Sequence, residues 1–154
     1  MLRHIPKSDY NVTCQLECFY YDCWTDDIYA GYTYIIHPSG EAESCVCKYT
    51  YNQETNHYEE SDLVLKIDKH YGFHNMYLTN QNLILGSYGC LPNGSVENMI
   101  RFYPNFEESS CHEVDLRYLL VWNKPLSVFY DGYDYWMYVC ENGKYELLKL
   151  KLLE

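Results

Sequence analysis

Long apolar runs are missing from this 154-residue chain. The longest, Tyr118-Leu119-Leu120-Val121-Trp122, falls far short of the ~20 residues that cross a bilayer as a helix, so a soluble protein is expected. The first residues, Met1-Leu2-Arg3-His4-Ile5-Pro6-Lys7, lack the apolar core of a signal peptide, and a leader is expected to have been removed. Basic clusters are missing too. Against 22 acidic residues stand only 11 Lys and Arg, a net charge of −11, and Lys48, Lys66, Lys69, Arg101, Arg117, Lys124 and Lys144 are scattered. That pattern argues against nucleic-acid or anionic-membrane partners. Glycine and proline are sparse, at 8 and 5 residues, and no repeat, low-complexity tract or flexible linker is visible. A single domain over residues 1–154 is expected, long enough to bury its own core. Catalytic signatures are absent as well: no Gly-x-Ser-x-Gly elbow, no Gly-rich phosphate loop, and His112-Glu113 continues as Val114-Asp115-Leu116 rather than as a zinc-protease motif. Glu59-Glu60 and Glu107-Glu108 fall in or beside loops, where a solvated surface outweighs acid–base work. No catalytic residue, cofactor or metal is expected.

What the chain has in quantity is cysteine and tyrosine. Eight cysteines, Cys14, Cys18, Cys23, Cys45, Cys47, Cys90, Cys111 and Cys140, form an even set that reads as the disulfide framework of a secreted protein. Cys45 and Cys47 leave the same face of a strand and cannot easily bond to each other, so each needs its own partner. Cys14, Cys18 and Cys23 form an N-terminal group suited to reaching back across the fold, and Cys140 is a natural distal anchor. Eight cysteines allow 105 pairings, among which spacing does not choose. Zinc is the weaker reading, because paired Cys-x-x-Cys knuckles are absent. His70 and His74 flank Gly72 in loop-like sequence and read as surface histidines. Sequons at Asn11-Val12-Thr13 and Asn93-Gly94-Ser95 agree with a secretory, glycosylated chain. Tyrosine contributes 19 residues against 5 Phe and 3 Trp, which suits half-buried β-surface and binding faces alike.

From residue 28 onward the chain reads as short period-two segments between turns. Residues 28–36 place Ile28, Ala30, Tyr32, Tyr34 and Ile36 on one face; 43–51, 58–67, 73–79, 83–88 and 96–103 follow. A polar loop over 104–112 leads to a strand with Val114, Leu116, Tyr118, Leu120 and Trp122 on one face, which ends at Asn123-Lys124-Pro125. Segments 126–130 and 133–141 read as a hairpin with Asp131-Gly132 in a two-residue type I′ turn. After Asn142-Gly143, residues 144–154 read as a strand with Leu148, Leu150 and Leu152 on one face, or as a short helix. Residues 1–27 read as an irregular, Cys-rich segment. The expected fold class is all-β: an antiparallel eight- to nine-stranded barrel, disulfide-stabilised, with a sandwich as the alternative.

The order of these segments resembles the lipocalins, in particular the degenerate insect and salivary type, over residues 28–140. Gly31-Tyr32-Thr33-Tyr34 is similar to the family's first-strand motif, with Thr33 where tryptophan is usual. Tyr34-Ile35-Ile36-His37-Pro38-Ser39-Gly40 followed by Cys45 and Tyr49 resembles the arrangement of its first two strands. Ile100-Arg101-Phe102-Tyr103-Pro104 looks like a late apolar strand, and Phe129 to Cys140 looks like the hairpin leading to a Tyr-x-Cys strand; the family's C-terminal arginine is missing. The resemblance implies a secreted carrier that holds a small apolar or amphipathic molecule inside a barrel, lined by Tyr32, Tyr34, Leu65, Tyr77, Phe102, Tyr118 and Leu120. The competing expectation is a secreted, disulfide-rich glycoprotein that acts through its Tyr-rich, acidic outer surface on a protein partner, as an inhibitor, antagonist or structural protein.

Overall fold

The computed structural model describes residues 11–37, 41–67, 73–79, 82–90, 96–115, 125–141 and 143–150. Among them the protein is all-β, with eleven strands and one 3-10 turn over Glu108–Ser110. The chain divides into two compact units, Met1–His70 and Tyr71–Glu154.

The first unit is a four-stranded antiparallel meander in the order β1 (Asn11–Asp22), β2 (Asp27–His37), β3 (Glu41–Asn52), β4 (His57–Ile67). β1 lies within the segment expected to be irregular. Its period-two pattern is concealed by a bulge: Leu16 pairs with Tyr32 and Cys18 with Gly31, so Glu17 is the extra residue. A bulge inserts one residue and reverses the alternation beyond it. Cys14 and Leu16 therefore share a face with Phe19 and Tyr21, an odd number of residues away. The same device operates twice in β4, where the pairing with β3 shifts between Leu65 and Leu63 and again between Asp62 and Glu60.

The β1–β2 and β3–β4 hairpins of this unit end in four-residue loops built alike. Asp22 and Asp27 close the first, Asn52 and His57 the second. In each, an Asp or Asn side chain opens the turn by accepting a backbone N–H two residues on, Trp24 to Asp22 at 3.0 Å and Glu54 to Asn52 at 2.9 Å. Such Asx turns are local and cheap in entropy. Each loop ends on a residue of positive φ, Asp26 and Asn56, both at 58°, as Asp and Asn tolerate best after glycine.

The second unit contains two antiparallel sheets. β5 (Phe73–Leu78), β6 (Asn82–Cys90), β7 (Val96–Pro104) and β8 (His112–Asp115) form a meander, and β9 (Pro125–Tyr130), β10 (Tyr135–Glu141) and β11 (Lys144–Leu150) form the order β11-β10-β9. Ile84, Ile100, Phe102 and Met137 make a shared core, with Tyr77, Val114, Tyr135, Leu148 and Leu150 packed against it. Phe102 and Tyr135 meet edge to face at 5.2 Å, the arrangement that ring quadrupoles favour. Polar tips stay satisfied: the Tyr77 hydroxyl donates to the Tyr130 carbonyl at 3.0 Å, and the Asn82 amide donates to the Tyr135 hydroxyl at 3.3 Å. On the opposite face of β5–β8, Met76, Leu83, Leu85 and Tyr103 are buried too.

Several expectations need correction. Among the described residues the strands form three open sheets and no closed barrel; meanders of three and four strands keep their edges, and side chains of two sheets interdigitate where a barrel would enclose a lumen. The loop after β9 holds four residues, since Tyr130 pairs with Tyr135. Asp131 explains the extra length, because its carboxylate accepts the N–H groups of Tyr133 and Asp134, each at 2.8 Å. Gly132 still carries the positive φ, at 102°. Pro125 starts β9 instead of ending a strand, a position where no N–H is required of it. The C-terminal segment is a strand and not a helix: Leu148 pairs with Met137 and Leu150 with Tyr135, and tertiary pairing outweighs helical spacing. Leu152 lies outside the described residues, as do Leu116, Tyr118, Leu120 and Trp122.

Candidate functional site

Strand pairing places directly opposed side chains on the same face of a sheet. Applied to the β1–β4 register, one face collects Cys14 with Tyr34, then Leu16, Tyr32 and Cys45, then Phe19, Ala30, Cys47 and Leu63, and last Tyr21, Ile28, Tyr49 and Glu60. Tyr51 and Tyr58 pair at its end. The other face holds Asp27, Tyr29, Thr33, Ser44, Val46, Leu65 and Ile67, all buried.

The tyrosine and cysteine face is layered. At its base Tyr34, Cys45 and Cys47 are buried, and Cys14, Tyr32 and Tyr49 pack on them. Tyr32 and Tyr34 stack with centroids 6.4 Å apart, and the Tyr32 and Tyr49 hydroxyls lie 2.9 Å apart. Above and around this base, Leu16 (54% exposed), Phe19 (67%), Tyr21, Tyr51, Tyr58 and Leu63 are open to solvent. The hairpin end adds Trp24, 93% exposed. There the Tyr21 and Tyr58 hydroxyls, from the two edge strands, both donate to Asp26 Oδ1 at 2.8 Å. The Tyr51 and Tyr58 rings meet edge on at 5.3 Å.

The thiols at the base influence one another. Cys45 Sγ and Cys47 Sγ are 3.9 Å apart. The hydrogen bond from Cys47 holds the Cys45 thiol below its ordinary range, against the effect of burial, while the same bond and burial push Cys47 up. Burial, and then the charge of Cys45, raises the Tyr34 hydroxyl. That hydroxyl is sealed from solvent and has no hydrogen bond of ordinary geometry; the thiols of Cys14 and Cys45 adjoin it. Burial also raises Cys14, and it pushes Cys18, on the opposite face, up to about 12.

The described residues expected to line one cavity fall in both units. Tyr32 and Tyr34 share the face just described, Leu65 sits on the reverse of the same sheet, and Tyr77 and Phe102 belong to the core of the second unit. Tyr118 and Leu120 lie outside the described residues. Cys14, Cys18, Cys23, Cys45, Cys47 and Cys111 are free thiols, so the expected disulfide framework is not formed among these six. The bulge turns Cys18 away from Cys14, and Cys45 and Cys47 occupy same-face positions whose Cα separation in a strand, about 6.7 Å, sits at the limit for a bridge. Cys90 ends β6 and Cys140 lies within β10, opposite Tyr145. Asn11 opens β1 opposite His37, and Asn93 lies outside the described residues. Leu16, Phe19, Tyr21 and Trp24 went unseen in the sequence reading. The signal that finds them is the twin pattern Tyr21-Asp22-x-x-Thr25-Asp26 and Tyr51-Asn52-x-x-Thr55-Asn56, in which each tyrosine hydroxyl donates to the side chain of the loop's last residue.

No helix among the described residues is long and apolar enough to cross a membrane. No family model matches the chain, and neither a curated protein nor a solved structure matches it.

Proposed function

We propose that this protein is an extracellular binding protein that engages a basic protein surface through the open face of its β1–β4 sheet. The observation that carries the reading is a contiguous exposed set, Leu16, Phe19, Tyr21, Tyr51, Tyr58 and Leu63, on one face of a sheet whose reverse is buried. Exposed apolar patches rimmed by polar groups are the usual mark of an interaction surface. Tyrosine and other aromatic side chains supply the anchors of such surfaces at low entropic cost. The sign of the partner follows from charge: between residues 11 and 67 stand ten carboxylates and two lysines, Lys48 and Lys66. Opposite charge on the partner steers encounter and suppresses wrong partners. A barrel carrier requires a closed lumen, whereas the described strands form open sheets, and this favours the surface reading. Extracellular placement rests on the sequons at Asn11 and Asn93; the six free thiols add nothing to it.

Selection of a random peptide library against the wild type and against Phe19→Asp tests the proposal. Peptides that combine Arg or Lys with apolar residues should enrich on the wild type and lose binding to the variant. Acidic or charge-neutral winners, or peptides that bind both proteins equally, would refute it. Saturable uptake of fatty acids unaffected by Phe19→Asp would restore the carrier reading.

A further inference from the structure

We propose, on the reading of this face as a site for a basic partner, that the hairpin end of the β1–β4 sheet seats the ammonium group of a partner's lysine between the Asp26 carboxylate and the rings of Tyr21, Tyr51 and Tyr58. The sheet's own twin loops point to it. In each loop the last residue holds φ at 58° and accepts the hydroxyl of the tyrosine five residues earlier, Asp26 from Tyr21 and Asn56 from Tyr51. The neutral amide of Asn56 thus does all that the turn needs. Asparagine serves a left-handed position at least as well as aspartate, so turn geometry does not account for a carboxylate at position 26. Its charge is what the twin lacks.

The surroundings suit a cation. Asp26 Oδ1 accepts the Tyr21 and Tyr58 hydroxyls, each at 2.8 Å, and no described residue donates to Oδ2. Lys48 and Lys66, the lysines between residues 11 and 67, pair with Asp27 and Glu43, so Asp26 has no ion-pair partner among the described residues. Tyr58 meets Tyr51 edge on at 5.3 Å, and all three rings are open to solvent. A cation bound to the carboxylate can therefore sit within about 6 Å of ring centres, the range over which ring faces attract it. The hydrogen bonds to Asp26 raise both phenols, Tyr58 to about 12, so both stay protonated as donors and push electron density into their rings. The free acceptors select lysine over arginine. A guanidinium is matched by two carboxylate oxygens taken as a fork; here Oδ1 is occupied twice, and a compact ammonium needs only Oδ2.

The test titrates the full chain, its tyrosine rings isotope-labelled for NMR, with Nα-acetyl-lysine methylamide, whose only charge is the side-chain ammonium. The Tyr21, Tyr51 and Tyr58 ring signals should shift and saturate on the order of millimolar. Tyr133, exposed in the loop between Asp131 and Asp134, should not move. The arginine counterpart should bind about 5-fold more weakly or worse, and the uncharged norleucine counterpart should give no shift. Asp26→Asn reproduces Asn56 and keeps an acceptor for both phenols, so it should weaken lysine binding about 5-fold or more with little change in melting temperature. Asp62→Asn, an equal loss of charge beside Lys48 on the opposite face, should leave binding intact. Tyr51→Leu should weaken it about 2- to 5-fold. Equal shifts at Tyr133, equal binding of the arginine compound, or undiminished binding by Asp26→Asn would each overturn the inference. The two readings fail separately. Basic selected peptides that depend on Phe19 yet bind Asp26→Asn undiminished would sink this site and leave the face reading intact, whereas lysine binding lost in Asp26→Asn beside acidic selected peptides would do the reverse.

Discussion

The β1–β4 and β5–β8 sheets are both four-stranded antiparallel meanders, yet they treat their two faces differently. In β6 the consecutive residues Leu83, Ile84 and Leu85 are all fully buried, so both faces are closed off from solvent. In the first sheet burial on both faces is confined to the central strands, as at Ser44 to Cys47 of β3, and the edge strands β1 and β4 leave Leu16, Phe19, Tyr21 and Leu63 in water. A sheet covered on both sides needs an unbroken apolar run, whereas a sheet with one free face needs alternation and, on that face, side chains that tolerate water. Tyrosine meets the second requirement, since its ring packs while its hydroxyl remains hydrogen-bonded. Function is therefore sought on the first sheet: its free face carries more apolar surface than solubility alone would select.

The sharpest way to break this contrast is a pair of phenylalanine deletions. Phe102, 4% exposed within the shared core of the second unit, should cost about 3–5 kcal/mol of unfolding free energy when replaced by alanine, the range for a large buried aromatic. Phe19→Ala on the open face should shift stability by no more than about 0.5 kcal/mol, as surface substitutions do, while weakening any peptide selected on that face. Urea unfolding of both variants decides the matter. Equal losses would mean that Phe19 is part of a core and that the free face is misread.

The next effect in size is electrostatic and belongs to the buried reverse of the first sheet. Asp27 is 3% exposed, and Lys48 Nζ lies 2.8 Å from its Oδ2 while Thr50 donates to Oδ1 at 2.8 Å. Burial raises the Asp27 carboxyl, but hydrogen bonds from Lys48, Thr50 and Thr25 prevail and hold it below its ordinary value. A depressed folded value means that the pair stabilises fully above the unfolded value of about 3.9. That contribution is lost as the pH falls through the lower, folded value. Asp27→Asn should cost about 1–3 kcal/mol at neutral pH and flatten the loss of stability between pH 4 and the acid limit. A variant that keeps the wild-type acid dependence would assign it to other carboxylates.

Much of this architecture was legible in the residues. Regular strands of unbroken alternation, such as β2 with Ile28, Ala30, Tyr32 and Tyr34 on one face, stand out because pleating has period two. β1 did not stand out, since Glu17 inserts a residue and divides its apolar set into two half-patterns out of phase. The Asp131 turn was read two residues short because Asp-Gly favours a tight hairpin, whereas the aspartate side chain caps a wider one. Barrel closure was inferred from strand number, but number does not determine closure; the pairing of first and last strands does, and that information is non-local. The site was only half visible. Tyr32 and Tyr34 were singled out as lining residues, while their neighbours across β1, Cys14, Leu16 and Phe19, lay in a segment assigned no strand. The proximity of Cys45 to Cys47 followed from their spacing, but the 3.9 Å bite between their sulfurs did not.

The smallest effect tests whether the β1–β2 and β3–β4 hairpins of the open sheet are independent modules. Asp22 accepts from the Trp24 N–H and the Thr25 hydroxyl, and Asn52 accepts from the N–H groups of Glu54 and Thr55. Each alanine substitution, Asp22→Ala or Asn52→Ala, should cost about 1 kcal/mol, the net worth of the hydrogen bonds removed in water. The loops share no turn hydrogen bond, but Tyr58 from the second hairpin reaches Asp26 of the first. Their combined cost should therefore exceed the sum of the single costs or fall short of it by no more than about 0.5 kcal/mol, the additivity expected of weakly coupled sites. Adding Tyr58→Phe should bring the remaining coupling to zero, because it removes the one hydroxyl that joins the loops. A coupling that persists in that background would show the hairpin end responding as a single unit, and it would move the boundary of the binding face from the sheet out to its loops.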